Sequence, residues 1–186
     1  MNETDELVYS RFLTEGNEQD LKILLLRHRE SLTLFLNGYV HNMNDAEELM
    51  LDCFAIIVSD TAKYTTMTNG SFKTWLFAIG KNRAKMFLRK RKIAYVPIED
   101  DIKDSGNTPE VDMLKEENKQ QLYRALESLH PNYRHVLYLQ YFEGMKPEEI
   151  SLVMNKSVKQ IYNLAERGKK SLKEKLERMG FEYERY

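Results

Sequence analysis

Between Ser71 and Lys92 the chain carries Lys73, Lys81, Arg83, Lys85, Arg89, Lys90, Arg91 and Lys92 and no acidic residue. Between Ser157 and Lys173 it carries Lys159, Arg167, Lys169, Lys170 and Lys173 against the single acid Glu166. Cations at this density bind polyanions. Each one set against a phosphate releases a condensed counterion, so affinity falls as salt rises. The second stretch also holds Gln160, Tyr162 and Asn163. Gln and Asn amides can pair with an adenine edge, and Arg or Lys with guanine or a phosphate. Two such stretches on one chain imply two separate contacts with a nucleic acid.

Binding, not covalent chemistry, is what these residue types support. His28, His41, His130 and His135 lack ligand spacing with Cys53 or with one another. No glycine-rich phosphate loop and no nucleophile elbow occurs. Asp45, Glu48 and Asp52 would need a further carboxylate partner to hold Mg²⁺. No catalytic residue, metal or cofactor is therefore expected.

Across 186 residues, 28 Lys and Arg face 29 Asp and Glu, a net charge of −1. The whole chain is thus no generic nucleic-acid sponge, and it is the segregation of charge that matters locally. Glu99, Asp100, Asp101, Asp104, Glu110 and Asp112 follow the first basic stretch against a lone Lys103. The single cysteine, Cys53, cannot build a disulfide framework and fits a reducing cytoplasm. No apolar run approaches the roughly 18 residues that span a bilayer, so no membrane insertion is expected. The acidic, polar start is unlike a secretory signal.

The elements that must position the two basic stretches are helical. Leu21, Leu24, Leu25, His28, Leu32, Phe35, Leu36 and Tyr39 recur at helical spacing, with Gly38 and residues 41–44 ending the run. Asn44 and Glu47 form a capping-box-like start for a helix that buries Ala46, Leu49, Met50, Cys53, Phe54 and Ile57. Asp45, Glu48 and Asp52 share its outer face. Ser71 caps a third helix with Phe72, Trp75, Leu76 and Ile79 inward, joined by Met86 or Phe87. Residues 93–109 hold Pro97, Gly106, Pro109 and the acids, and are expected to form a flexible linker.

Beyond it, Leu122, Ala125, Leu126 and Leu129 keep a helical period. Pro131 suits a first helical position, and Val136, Leu137, Tyr141 and Phe142 are expected to pack before Gly144. Pro147 starts a short helix with Ile150, Val153 and Met154 inward. Ser157 with Gln160 is a second capping box, and Ile161, Leu164 or Ala165, Gly168 and Leu172 line the last helix. Short helix, tight turn, longer helix is the helix-turn-helix pattern. No strand-period segment of useful length occurs. The fold class expected is all-α: two small helical domains joined by a flexible acidic linker, residues 1–92, 93–109 and 110–186, the C-terminal one a helix-turn-helix.

Four segments occur in order: Asp45–Phe54 (DAEELMLDCF), Ser71–Leu76 (SFKTWL), Ala125–Gly144 (ALESLHPNYRHVLYLQYFEG) and Glu148–Ile150 (EEI). Together, over about Leu21 to Leu176, the chain resembles bacterial RNA polymerase sigma factors of the extracytoplasmic-function subfamily. The resemblance implies a non-catalytic subunit that binds core RNA polymerase, recognises promoter −35 and −10 elements and opens the DNA. It implies core-polymerase contacts at Asp45, Glu48, Leu49, Leu51 and Asp52. It implies −10 contacts and strand opening at Tyr64, Asn69, Lys73, Trp75, Lys81, Asn82 and Lys85, and −35 contacts at Lys159, Gln160, Tyr162, Asn163, Arg167 and Lys170. It implies that the linker threads towards the polymerase channels, that the protein is cytoplasmic, and that an anti-sigma factor is a candidate partner. Against these stand plainer roles: core packing for Trp75, capping for Gln160, solvated faces for the acids of residues 45–52 and for Lys169, Lys170 and Lys173. Asn155 stands where a turn glycine is usual, and Asn tolerates positive φ. The competing reading is a stand-alone helix-turn-helix regulator of duplex DNA, which leaves the acidic helix and the Ser71 motif without a role.

Overall fold

The computed structural model describes residues 3–59, 71–94 and 116–180. Its described elements are helical: α1 (Asp5–Glu15), α2 (Glu18–Val40), α3 (Met43–Ser59), α4 (Phe72–Ala94), α5 (Glu116–Glu127), α6 (Pro131–Leu137), α7 (Pro147–Met154) and α8 (Val158–Arg178), with a π-helical turn at Tyr138–Phe142. Most of the acidic linker lies outside the described residues.

Local chemistry sets the helix ends. Thr4 Oγ1 accepts from the Leu7 N–H at 3.3 Å, and Asn17 Oδ1 from the Gln19 N–H at 2.9 Å, each satisfying an orphan donor of a first turn. α3 starts earlier than Asn44. Asn42 Oδ1 accepts from the Asp45 N–H at 3.1 Å, which places Asp45 in the first turn beside the positive end of the helix dipole. Nor does Gly38 end α2. The helix continues to Val40 and closes on His41, at φ 52°.

α1 has no counterpart in the expected pattern, yet it supplies the core. Val8 and Tyr9 are buried, the Tyr9 hydroxyl donates to the Ile57 carbonyl at 2.8 Å, and its ring lies 5.0 Å from that of Phe72. Glu6 Oε1 accepts from the Phe72 N–H at 2.9 Å, so one helix caps the start of another. Ala46, Met50, Cys53, Phe54 and Ile57 all point inward, as their spacing predicts. Burial pushes the Cys53 thiol up to about 12, which marks a packing residue and not a reactive one.

One hydrophobic core runs through both halves of the chain, joining Phe35, Leu36 and Phe77 to Tyr138, Leu139, Ile150 and Val153. A smaller cluster around Leu126, Leu129 and Leu137 holds α5 and α6 against α8. Tyr141 and Phe142, expected inside, are exposed, and Tyr138 and Leu139 take their places. The cause is the π turn. The Glu143 N–H donates to the Tyr138 carbonyl at 3.2 Å, and this wider turn rotates residues 141 and 142 off the inner face. The buried Tyr138 hydroxyl donates to the Ser31 carbonyl of α2 at 2.8 Å.

Candidate nucleic-acid and polymerase interfaces

α8 is built from its cap outward. Ser157 Oγ accepts from the Gln160 N–H at 3.3 Å, and Gln160 Oε1 accepts from the Ser157 N–H at 2.9 Å. Before it, Asn155 turns the chain at φ 51°, the conformation its short amide side chain tolerates. Ile161, Ala165 and Gly168 face inward. A Cβ on Gly168 would lie 3.3 Å from both Leu137 Cγ and Tyr133 Cβ, so glycine permits the close approach of α8 to α6. On the opposite face Lys159, Gln160, Tyr162, Asn163, Arg167 and Lys170 are all exposed. With its oxygen committed to the cap, Gln160 could pair with adenine in bidentate fashion only by giving that cap up.

α4 is different. Tyr64 and Asn69 lie outside the described residues. Asn82 and Lys85 are exposed, but the other expected −10 residues are engaged by the protein itself. Trp75 is 4% exposed, its ring 5.6 Å from Tyr9, so it sits in the core and not at an open edge. Lys73 Nζ lies 2.7 Å from Glu143 Oε2 and donates to the Glu143 carbonyl at 2.8 Å. Lys81, 5% exposed, donates to the Val153 carbonyl at 2.8 Å. That carbonyl belongs to the last turn of α7, where helix geometry leaves acceptors unpaired and a cation suits the dipole. Burial, with Lys85 and Lys156 nearby, brings the Lys81 ammonium down to about 8. Glu149 Oε1 accepts from Ser71 Oγ at 3.1 Å and from Thr74 Oγ1 at 3.2 Å. Its other oxygen accepts from the Lys146 N–H at 2.9 Å, so one carboxylate caps α7 and bridges to the start of α4. Glu143 and Glu149 were not anticipated as site residues. The position of Glu149 three residues after Lys146, the residue that precedes α7, was the only sequence signal, and it reads as a cap.

On α3 the outer face holds Asp45, Glu48, Leu51 and Asp52, with Leu51 55% exposed. Leu49 is the exception among the expected core-polymerase contacts. At 5% exposure it packs inward, as its helical phase with Ala46 and Cys53 requires. Asp52 pairs with Arg83, and Asp45 with Arg91 at 3.3 Å. Some cations of α4 thus neutralise α3 and are not all directed at phosphates. Glu48 and Leu51 remain outside these pairs.

Between α2 and α6, Tyr39 and His135 stack with ring centroids 3.7 Å apart and planes at 10°. Burial first, and the Arg134 charge second, bring the His135 imidazole down to about 3. Arg134 donates to the Glu127 carbonyl at 2.7 Å, while its Nε and His135 Nε2 are buried without a hydrogen-bond partner.

Comparison with known proteins assigns the two halves. Residues 24–93 match the family model of sigma-70 region 2, and residues 119–172 that of sigma-70 region 4. The chain is 27% identical over 163 residues to the ECF RNA polymerase sigma-E factor of Escherichia coli (strain K12), covering 82% of this chain and 83% of that protein. It is 29% identical over 173 residues to the RNA polymerase sigma factor CarQ of Myxococcus xanthus, covering 92% and 97%. In fold it is similar to CnrH, solved in complex with the cytosolic domain of CnrY, with a TM-score of 0.65 at 21% identity over 94% of this chain and 98% of that one. The sigma factor RpoE of Bartonella quintana, solved in complex with the anti-sigma factor NepR, gives 0.63 at 22% identity over 86% and 98%. The order region 2, then region 4, on one chain whose described elements are all helical, together with these relatives, places this protein in the extracytoplasmic-function group of the sigma-70 family of bacterial RNA polymerase sigma factors.

Proposed function

We propose that the chain carries out promoter-directed initiation with a division of labour between α3, α4 and α8. As a sigma factor it binds core RNA polymerase, recognises −35 and −10 promoter elements and opens the DNA; sigma factors are initiation factors and do not catalyse the polymerisation. The observation that carries the assignment is the outer face of α8. Lys159, Tyr162, Asn163, Arg167 and Lys170 project from one capped helix after a tight turn, and all are exposed. That is the geometry of a recognition helix entering a major groove. This helix reads the −35 element.

The basic helix α4, with Lys73, Lys81, Asn82, Lys85 and the segment holding Tyr64 and Asn69, serves the −10 element once its strands separate. There backbone neutralisation and stacking do the binding. The α3 face serves the polymerase: Leu51 is an exposed apolar anchor, and Glu48 a nearby charge. Residues 1–92 and 110–186 are the two working domains and 93–109 their connector. The protein works in the cytoplasm, where core polymerase resides. An anti-sigma factor is a fitting partner, because structurally similar sigma factors include one solved with such a protein. Among the described residues no helix is long and apolar enough to cross a membrane.

The test is run-off transcription with core polymerase on a promoter library. Transcripts starting at defined sites are expected only when the chain is added. Absence of a complex with core polymerase would end this assignment.

A further inference from the structure

The match to sigma-70 region 2 begins at residue 24, so α1 lies wholly before it. Yet Glu6 and Tyr9, at i and i+3 on one face of α1, reach both ends of the segment that joins α3 to α4. The Tyr9 hydroxyl donates to the Ile57 carbonyl at 2.8 Å. Ile57 belongs to the last turn of α3, where helix geometry leaves carbonyls without a partner in their own helix. Glu6 Oε1 accepts from the N–H of Phe72, the first residue of α4, at 2.9 Å. A carboxylate there also meets the positive end of the helix dipole. The Tyr9 ring is fully buried, with its centroid 5.0 Å from that of Phe72 and 5.6 Å from that of Trp75. α1 is itself fastened to α2. Arg11 reaches the buried Asp20 at 2.5 Å, and Asp5 meets Arg27 at 2.8 Å and His28 at 2.7 Å. The bonds to α3 and α4 therefore start from a fixed frame. Phenylalanine would bury the same ring at position 9, and Glu6 is exposed, so apolar packing calls for neither polar group.

We propose that Glu6 and Tyr9 are positioning residues for −10 recognition: α1 sets where the chain leaves α3 and where it enters α4, and so sets the reach of the segment between them, which carries Tyr64 and Asn69. The proposal rests on the assignment of that segment and of α4 to the −10 element. Neither Glu6 nor Tyr9 touches DNA in this role. Reading a separated strand takes two things at a fixed spacing: cations on the backbone and a surface for the base. With one end released, Lys85 and the other exposed cations of α4 still hold phosphates, but base selection at −10 relaxes. Reading of −35 by α8 passes through neither bond.

The test uses holoenzyme assembled from core polymerase and the full chain, transcribing a promoter library randomised at both −35 and −10. The readout at each element is the transcript yield from the favoured sequence relative to the library mean. Tyr9→Phe removes only the hydroxyl, Glu6→Ala removes the carboxylate, and Glu6→Gln keeps an Oε1 acceptor for the Phe72 N–H. From the net strength of a neutral and of a charged hydrogen bond, the −10 preference should fall about fivefold in Tyr9→Phe and about tenfold in Glu6→Ala. The −35 preference of the same holoenzymes should stay within about twofold of wild type, as for distant, independent sites. Glu6→Gln should recover most of the −10 preference. Equal falls at both elements would make α1 a source of general stability and overturn the proposal. Unchanged −10 preference in both Tyr9→Phe and Glu6→Ala would overturn it too, and would leave the −10 assignment intact. Glu6→Gln as impaired as Glu6→Ala overturns the capping role of Glu6, since the amide offers the same acceptor. A wild type that selects at −35 but not at −10 removes the assignment of α4 and the segment before it, and the positioning role with it.

Discussion

α4 and α8 are basic helices of similar length, 23 and 21 residues, but they meet the rest of the molecule in opposite ways. α8 buries a narrow apolar stripe and leaves its whole polar face outward. α4 is enclosed by α3, α1 and α7, and several of its polar groups are bonded to them. A duplex groove exists before the protein arrives, so its reader can be finished in advance. Separated strands do not exist until the duplex opens, so half-buried donors meant for them need other partners meanwhile, or bear the cost of desolvation unpaired.

Trp75 and Tyr162 give the widest separation between the two helices. Trp75→Ala should lower stability by ~3–5 kcal/mol, the usual cost of truncating a buried aromatic. Tyr162 is 55% exposed, and Tyr162→Ala should stay within about 0.5 kcal/mol of wild type. Thermal denaturation measures both. A near-neutral Trp75→Ala would mean that the Trp75 ring serves the DNA and not the core. Affinity for −35 duplex should show the reverse pattern, with the loss at Tyr162.

The packing of the second half against the first can be loosened by acid. His135 sits at about 3 in the folded chain against an ordinary 6.5. A depressed value means that its contribution is fully present above 6.5 and is lost as pH falls towards 3. Arg134, His41 and Lys85 all add positive charge around it. At ~1.4 kcal/mol per pH unit, acidification from about 6.5 to about 5 should cost roughly 2 kcal/mol. His135→Phe keeps a ring for the Tyr39 stack and should melt with a much flatter pH profile. Equal acid slopes for the two proteins would assign the acid sensitivity elsewhere.

How much of this was legible follows from the range of each interaction. The inward faces of α2, α3 and α8 obey a 3.6-residue period, so Leu24, Cys53 and Ile161 could be placed from spacing alone. The Ser157–Gln160 box and the Asn155 turn are likewise local, and they stand as expected. Tyr141 and Phe142 failed because one π turn shifts the phase, and nothing in residues 138–142 announces it. α1 was legible in principle from the spacing of Val8, Tyr9 and Phe12, although its first turn is acidic. The Ser71 motif located the start of the basic helix α4 along the chain. It could not show that Lys73 meets Glu143, 70 residues away, because such a contact depends on how two halves dock.

Lys81 offers a finer probe of that docking. Its ammonium, at about 8 when covered, returns towards 10.5 when uncovered. The covered form therefore binds fewer protons between those values. Closure should be constant below about 8 and should strengthen above it, by at most roughly tenfold per pH unit, as the burden of a buried charge is lifted. Scattering across the alkaline range should show the compact form gaining. Lys81→Met retains the stem, removes the charge and leaves the Val153 carbonyl without this donor. Its compact fraction should lose the alkaline trend whatever its value at neutral pH.

The smallest effects concern single phosphate contacts, and they test whether the two helices meet DNA independently. On duplex −35 DNA, Lys170→Ala should weaken binding about equally across sequences and reduce the salt slope by about 1. Arg167→Ala behaves likewise if Arg167 holds a phosphate. If it pairs with guanine, the loss of ~1–3 kcal/mol falls on one base position. On single-stranded DNA, Lys85→Ala should reduce the slope by about 0.7 in every background, because Lys85 is exposed even when the chain is closed. Lys73→Ala should have a smaller effect in the wild type, where binding frees the Glu143 carboxylate as Lys73 leaves it, and the full effect only in the Glu143→Lys chain. A full salt-slope change at Lys73 in the wild type would mean that its bond to Glu143 does not compete with DNA, and the contrast between a finished reader and a covered one would fail at that residue.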